Sequence, residues 1–223
     1  MSSQKLKIKV KKQPKAKTQP EAKTQPKGKK EVDKLEELQK TFKPNLTPYQ
    51  VLKMGSFGGT YWRPIYSGET DKSLKKQQLE NQHLKYNWDL PDELLTKPFG
   101  EYDKNINKYK VKVGQTLADW EAKKWITKHD PYGWFQWYCN YSLGRRTPDD
   151  LRQLERWHGL AGPNGRFRKY LITLIVKKNG KWNDYSISPK IRQTLQHWGY
   201  KLTEADFKKE LQSRKEKELQ SKK

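Results

Sequence analysis

Asp130-Pro-Tyr-Gly-Trp-Phe-Gln-Trp-Tyr-Cys-Asn-Tyr-Ser-Leu-Gly-Arg-Arg146 is the densest aromatic stretch in this chain of 223 residues, and its reading decides the fold. At about 100° per residue, Trp134, Phe135, Trp137, Tyr138 and Tyr141 cover roughly 160° of a helix, leaving Gln136 and Asn140 on a narrow polar strip. Such rings can stack on unpaired bases, but platforms of that kind expose a few aromatics on a sheet or loop. An apolar arc this wide points to a core helix. Cys139 borders the arc with no basic partner on the same turn, as a structural thiol does.

The flanking sequence repeats one form of punctuation, a polar cap with proline at the start and glycine at the stop. Thr116 caps a helix to about Ile126. Asp130-Pro131 opens the aromatic helix, which closes at Gly144. Thr147-Pro148 opens another that ends at Gly159, and Gly162–Gly165 leads into a helix running to Lys178. Ser188-Pro189 opens one that closes at Gly199, and Thr203 begins a charged C-terminal helix. Upstream, Thr47-Pro48 opens a helix to about Lys53. A short helix is predicted over Glu31–Phe42, and residues 67–87 read as a surface loop or exposed helix. Tyr109–Val113 alternates with period two, as a short strand would. Gly55–Gly59 lacks the Gly-Lys-Ser/Thr of a phosphate loop and instead suits a backbone crossing under an aromatic ring. The fold class is mainly α: an aromatic-cored helical domain with a short extended segment and disordered basic tails. Its parts are a lysine-rich arm over 1–44, the domain over 45–200 and a charged helix or tail over 201–223.

The aromatic stretch, with Leu143-Gly-Arg-Arg146, Arg152-Gln-Leu-Glu-Arg-Trp157 and Ile191-Arg-Gln-Thr-Leu-Gln-His-Trp-Gly-Tyr200, resembles an uncharacterised family associated with large DNA viruses, fungi and bacteria. The likeness spans roughly Gly55–Tyr200. It implies that this region is one unit, with the lysine tail as accessory, and it admits a virion location. The family has no known activity, so no functional residue is carried over.

Composition bounds the function. Only 32% of residues are hydrophobic and the mean hydropathy is −1.20, values that favour disorder. The nine tryptophans, all between Trp62 and Trp198, supply large buried areas instead. The net charge is +23. Residues 1–30 hold eleven lysines and one glutamate, a net +10, with no arginine, and repeat Lys-Thr-Gln-Pro at Lys17–Pro20 and Lys23–Pro26. A segment of this composition stays disordered and holds polyanions loosely. Seven of the nine arginines fall between Arg145 and Arg192, and residues 130–200 carry twelve basic and five acidic side chains. Arginine grips phosphate or a base edge in fixed geometry. The one cysteine excludes an internal disulfide and fits a reducing compartment. No apolar run has the length of a membrane span or signal peptide, so the expectation is a soluble intracellular protein, nuclear, nucleoid-associated or packaged in a virion, without a membrane partner.

These features predict a basic nucleic-acid-binding protein. The expected contacts are Lys11, Lys12, Lys29 and Lys30 in the arm, and Arg145, Arg146, Arg166, Lys169, Lys190, Arg192 and Gln196 on the body. Leu151–Trp157 and the helix from Gly165 have helix–turn–helix proportions, with Arg166, Lys169 and Thr173 facing outward; an ordinary helical hairpin has the same proportions. Lys190, Arg192, Gln193, Gln196 and His197 are predicted to face water on one side of their helix, where Arg and Gln can read guanine and adenine edges. Asp149 and Asp150 are expected to compete for Arg145 and Arg146. His83, His129, His158 and His197 have no metal-ligand spacing, and neither a metal nor a cofactor is expected. Two other classes stay open. One is a structural or genome-packaging protein that neutralises a genome without reading it, or contacts an acidic protein partner. The other is an enzyme of unassigned chemistry near Arg63, Asp130, Arg145 and Arg146.

Overall fold

The computed structural model describes residues 28–69, 72 and 78–221, so Lys11 and Lys12 lie outside the described residues. Eight α-helices occur among them: α1 (Lys29–Thr41), α2 (Pro48–Lys53), α3 (Leu117–Ala122), α4 (Trp134–Ser142), α5 (Asp150–Leu160), α6 (Arg166–Lys177), α7 (Pro189–His197) and α8 (Glu204–Ser221). The fold is mainly α, built around a buried aromatic cluster.

Helix α4 is the axis of that cluster, but Asp130 does not cap it. Asp130–Gly133 form a turn closed by the Gly133 amide donating to the Asp130 carbonyl (2.8 Å), and Gly133 adopts φ 86°, a region that favours glycine. The Asp130 carboxylate turns inward instead. It accepts from Asn140 Nδ2 (2.9 Å) and pairs with the Arg145 guanidinium, clasping the two ends of the aromatic segment together. Every residue from Trp134 to Asn140 is buried, including the narrow polar strip of Gln136 and Asn140. Gln136 Oε1 accepts from the Tyr132 amide (2.9 Å), and Asn140 Oδ1 accepts from the Tyr86 hydroxyl (2.9 Å). Burial of amides is tolerated because each finds a partner. Cys139 is buried, and burial pushes its thiol well up, consistent with a structural thiol.

The arm and the C-terminal tail contribute more to the body than expected. Helix α1 begins at Lys29, two residues before the predicted Glu31, so Lys29 and Lys30 sit exposed in its first turn. It packs along α5, where Lys34 pairs with Glu155 (2.5 Å) and His158 Nε2 contacts the Leu38 carbonyl (3.1 Å). Just beyond α1, Phe42 meets Trp137, Tyr138, Tyr141 and Trp157 edge-on, with centroids 5.8, 5.9, 5.5 and 4.9 Å away. At the other end, the first turns of α8 dock on α6, with Phe207 and Leu211 against the core. Asp206 pairs with buried Arg168 (2.5 Å) and accepts from the Tyr200 hydroxyl (2.8 Å).

Other differences have local causes. Helix α3 stops at Ala122 rather than Ile126 because Lys124 turns to φ 55° and the Trp125 amide reaches back to the Trp120 carbonyl (2.9 Å). Its start is as expected, a reciprocal Thr116–Asp119 capping box. Tyr109–Val113 forms no strand, since no neighbouring strand offers it a ladder; the described residues hold only the isolated bridges Ile65↔Leu79 and Thr127↔Asp130. Gly58 does pass under an aromatic ring: a Cβ there would lie 2.7 Å from Tyr102.

Helix α7 departs most from its predicted placement. Arg192, Gln193, Gln196 and His197 do not face water; all are buried. One side of α7 meets α6 and the other meets the Ser56–Gly59 turn, so both faces are covered. Arg192 donates to the carbonyls of Ile187 (3.0 Å), Trp182 (3.0 Å) and Asp184 (2.9 Å), fastening a loop that has no ladder of its own. Gln196 Nε2 donates to Ser56 Oγ (2.6 Å). Neither side chain is available to a base edge, because both are buried, Arg192 against irregular backbone and Gln196 against the turn. Lys190 alone of the expected set is exposed.

Phe42→Ala is expected to destabilise the protein by about 3–5 kcal/mol, on the scale of Trp137→Ala, because both remove a ring from one cluster. Denaturant unfolding checks this. Phe42→Ala melting like the wild type would mean that α1 and Phe42 are not part of the core.

Candidate nucleic-acid interface

The nine arginines separate by partner. Arg145 pairs with Asp130, Arg152 binds Asp149 through two bonds (2.5 and 2.7 Å), Arg168 pairs with Asp206, and Arg214 with Glu210 (2.9 Å). Arg192 is held by carbonyls. Arg63, Arg146, Arg156 and Arg166 have no carboxylate partner among the described residues.

Carboxylate competition for Arg145 is therefore real, but the partner is Asp130 rather than Asp149 or Asp150. Asp149 is occupied by Arg152 and Gln153, and Asp150 accepts from the Trp137 indole (2.9 Å) and from Thr147 (2.9 Å). Arg146 is exposed and lies flat on Tyr141, 3.9 Å from the ring centroid, with its guanidinium donating to the Tyr141 carbonyl (3.0 Å).

The α5–α6 pair forms a helical hairpin whose outer face is not bare. Arg214 of α8 donates to Thr173 Oγ1 (3.1 Å) and to the Lys169 carbonyl (3.3 Å), leaving both residues half-buried. A recognition helix needs that face clear to enter a groove. Here α8 covers part of it, so Thr173 is capped by Arg214 and Lys169 is half-buried rather than fully outward. Arg166 remains exposed in the first turn of α6, over the Phe167 ring at 5.1 Å.

Arg166 borders a cleft of about 560 Å³. The cleft lies between α3 with the Trp125 turn, the N-terminus of α4, the C-terminal ends of α5 and α7, and the start of α6. Its walls include Trp120, Trp125, Trp134, Phe135, Phe167 and Trp198, and no carboxylate lines it. Arg156 lies between two of these walls, its guanidinium 5.2 Å from the Trp125 ring and 5.3 Å from the Trp198 ring. Among the described residues its guanidinium donates to Gln153 Oε1 (3.0 Å), and burial pulls its pKa down to about 10. Asp149 acts on it only from a distance and is itself bound by Arg152, so this half-desolvated cation, with no carboxylate paired to it among the described residues, favours an anionic ligand.

The inner surface holds Phe57 and His197. Phe57 has φ 65°, an uncommon conformation for a bulky residue. Its ring stacks on the imidazole at 4.1 Å and its amide donates to His197 Nε2 (3.3 Å). Because Nε2 accepts, the ring proton resides on Nδ1. Burial holds the imidazole neutral, with its pKa pulled down to about 3. A second pocket of about 290 Å³ shares Phe57, Tyr61, Trp120, Tyr132 and His197 with the first and reaches Arg63 and Lys112. Its acid, Asp119, is engaged by the Thr116 amide (2.9 Å) and hydroxyl (2.7 Å).

The expected contacts are thus dispersed. Arg166 lines the cleft, and Lys190 lies one turn before Thr194, which also lines it. Arg145 and Arg146 follow the far end of α4, whose nine residues span about 13 Å. Arg192 and Gln196 are internal. Arg156, Trp125, His197 and Trp198 were not among the expected contacts. Arg156 sits in an ordinary amphipathic helix, and no local pattern signals that tryptophans from two distant segments will flank it. None of the family models, curated proteins or solved structures compared with the chain matches it.

The buried imidazole predicts a pH dependence of stability. An unfolded histidine titrates near about 6.5, whereas His197 in the fold titrates near about 3. Between these values the unfolded chain binds more protons. Stability from this group is complete above pH 6.5 and falls by about 1.4 kcal/mol per unit below it, down to the folded value. Thermal melts at pH 7 and pH 5 should show a larger loss for wild type than for His197→Gln. Equal losses would mean that His197 is not held neutral.

Proposed function

We propose that this is a nucleic-acid-binding protein in which lysines of the N-terminal segment contact phosphate without sequence preference and the folded body engages through the acid-free cleft and its rim. One observation carries the reading: Arg156 is held between two tryptophans, without a carboxylate, in a cleft that Arg166 also lines. Paired cations would signify internal architecture, whereas unpaired ones on aromatic walls suit phosphate next to a planar base. The net charge of +23 supports a polyanionic partner over a neutral one.

The coverage of α6 by α8 favours binding without groove readout, which also suits the genome-packaging alternative. Under that reading the protein accompanies a genome in a nucleus, nucleoid or virion, the last in keeping with the family resemblance. The enzyme alternative is weaker, because Asp130 and Arg145 neutralise each other and Arg63 and Arg146 are held elsewhere.

Titration of an oligonucleotide over a range of salt tests the proposal. Removing residues 1–27 should flatten the dependence of log affinity on log salt, by about 0.9 for each duplex phosphate released or about 0.7 for each on a single strand. Arg156→Gln with Arg166→Ala should weaken the binding that persists at raised salt. No binding by the full chain even at low salt would sink the reading.

A further inference from the structure

We infer that the cleft between α3, α6 and α7 is a site for one unpaired nucleobase carrying its phosphate, with the base between the aromatic walls and the phosphate at Arg166 and Arg156. The inference rests on the nucleic-acid reading above and adds the chemistry of the ligand. Several independent features converge on it.

The volume, about 560 Å³, falls within the roughly 300–1,000 Å³ typical of small-molecule sites and far below what a duplex needs. The walls are flat rings, which suit a planar guest better than a branched aliphatic one. Charge is equally selective. Two guanidinium groups and no carboxylate line the space, and Asp149, which acts on Arg156 from outside it, is held by Arg152 through two bonds, so an anionic guest suits the space better than a neutral one. The start of α6 adds to this. Its N-cap is Gly165, which supplies no side-chain oxygen, so the first-turn amides beside Arg166 remain free for an anion.

The wall also offers a donor. Trp134 lends the wall its ring face, its indole N–H being buried behind it without a partner among the described residues. His197, bordering both pockets, carries its proton on Nδ1, for which the described residues provide no acceptor. A guest with ring nitrogens or carbonyl oxygens at its edge would satisfy the His197 Nδ1–H, as every nucleobase can. The chain's own lysine-rich segment cannot be the occupant, because it would bring more positive charge against Arg156 and Arg166. Paired bases cannot enter either. The guest must come from a single strand, from a base turned out of a duplex, or from a free nucleotide, which share one chemistry.

Gly159 offers a clean test. It lies within α5 and borders the cleft, and a Cβ added there meets nothing within 4 Å. Gly159→Leu should therefore fill the site while leaving every charge and native contact in place, with helix propensity improved rather than harmed. The full-length protein and this variant would be titrated by tryptophan fluorescence with adenosine and uridine 5′-monophosphates, a mixed-sequence single strand and the matching duplex. The expected result is quenching by the single strand, and a loss of about tenfold or more in single-strand affinity for Gly159→Leu, as for one stacked base. Duplex affinity and melting temperature should stay unchanged. If Gly159→Leu folds and binds single strands like wild type, the cleft inference is overturned while the nucleic-acid reading stands. If monophosphates bind but neither oligonucleotide does, the cleft inference holds and the nucleic-acid reading falls. Quenching by an acidic, proline-rich peptide, with no response to any nucleotide, would overturn both.

Discussion

The packing of Phe42 against the rings of α4 and α5 is the constraint from which the rest of the structure follows. With only 32% hydrophobic residues, the chain has too few aliphatics for a conventional core, and rings must do the burying. Rings pack edge-on in preferred geometries, so α4 has to be surrounded rather than merely covered on one side. That requirement draws in α1 from one end of the domain and places the Ser56–Gly59 turn and α7 around the remaining faces.

Aromatic side chains also solve a second problem, the many loops without regular partners. Their polar ends reach irregular backbone that no ladder satisfies. The Tyr61 hydroxyl donates to the Tyr132 carbonyl (2.7 Å), Tyr132 to the Arg63 carbonyl (2.8 Å), and Tyr138 to the Leu46 carbonyl (2.7 Å). The Trp157 indole donates to the Trp198 carbonyl (2.9 Å). Burial drives the phenols of Tyr61 and Tyr138 upward, so they remain donors throughout the physiological range. One residue type thus supplies both the apolar mass and the stitching.

The same economy explains why the arginines do not share one fate. Arg145 and Arg168 close carboxylate pairs, Arg192 stands in for a missing ladder, and Arg146 lies on a tyrosine. Arg156 differs because it rests against two tryptophans and a glutamine, while the acid that acts on it from a distance, Asp149, is engaged by Arg152. Its placement, rather than the total charge, separates a folded body suited to a planar anion from one that is merely basic.

The sequence by itself determined the helical class, most helix limits and the burial of the aromatic stretch, because caps, proline and glycine act locally and a wide apolar arc has one economical solution. It also set the contrast between lysine in the tail and arginine in the body. It left the polar residues of α7 misplaced, since Arg192, Gln193, Gln196 and His197 were read as facing water on amphipathic grounds, and it carried no sign that the Gln136–Asn140 strip of α4 would be covered as well. Whether a helix is covered on one face or on both depends on what packs against it from far along the chain, and periodicity within the helix carries no record of that. The tertiary structure alone decided that Asp130 rather than Asp149 holds Arg145, that α8 shields α6, and that Trp125, Arg156 and Trp198 meet around one cleft. Each of these depends on contacts between segments whose separation no local pattern encodes.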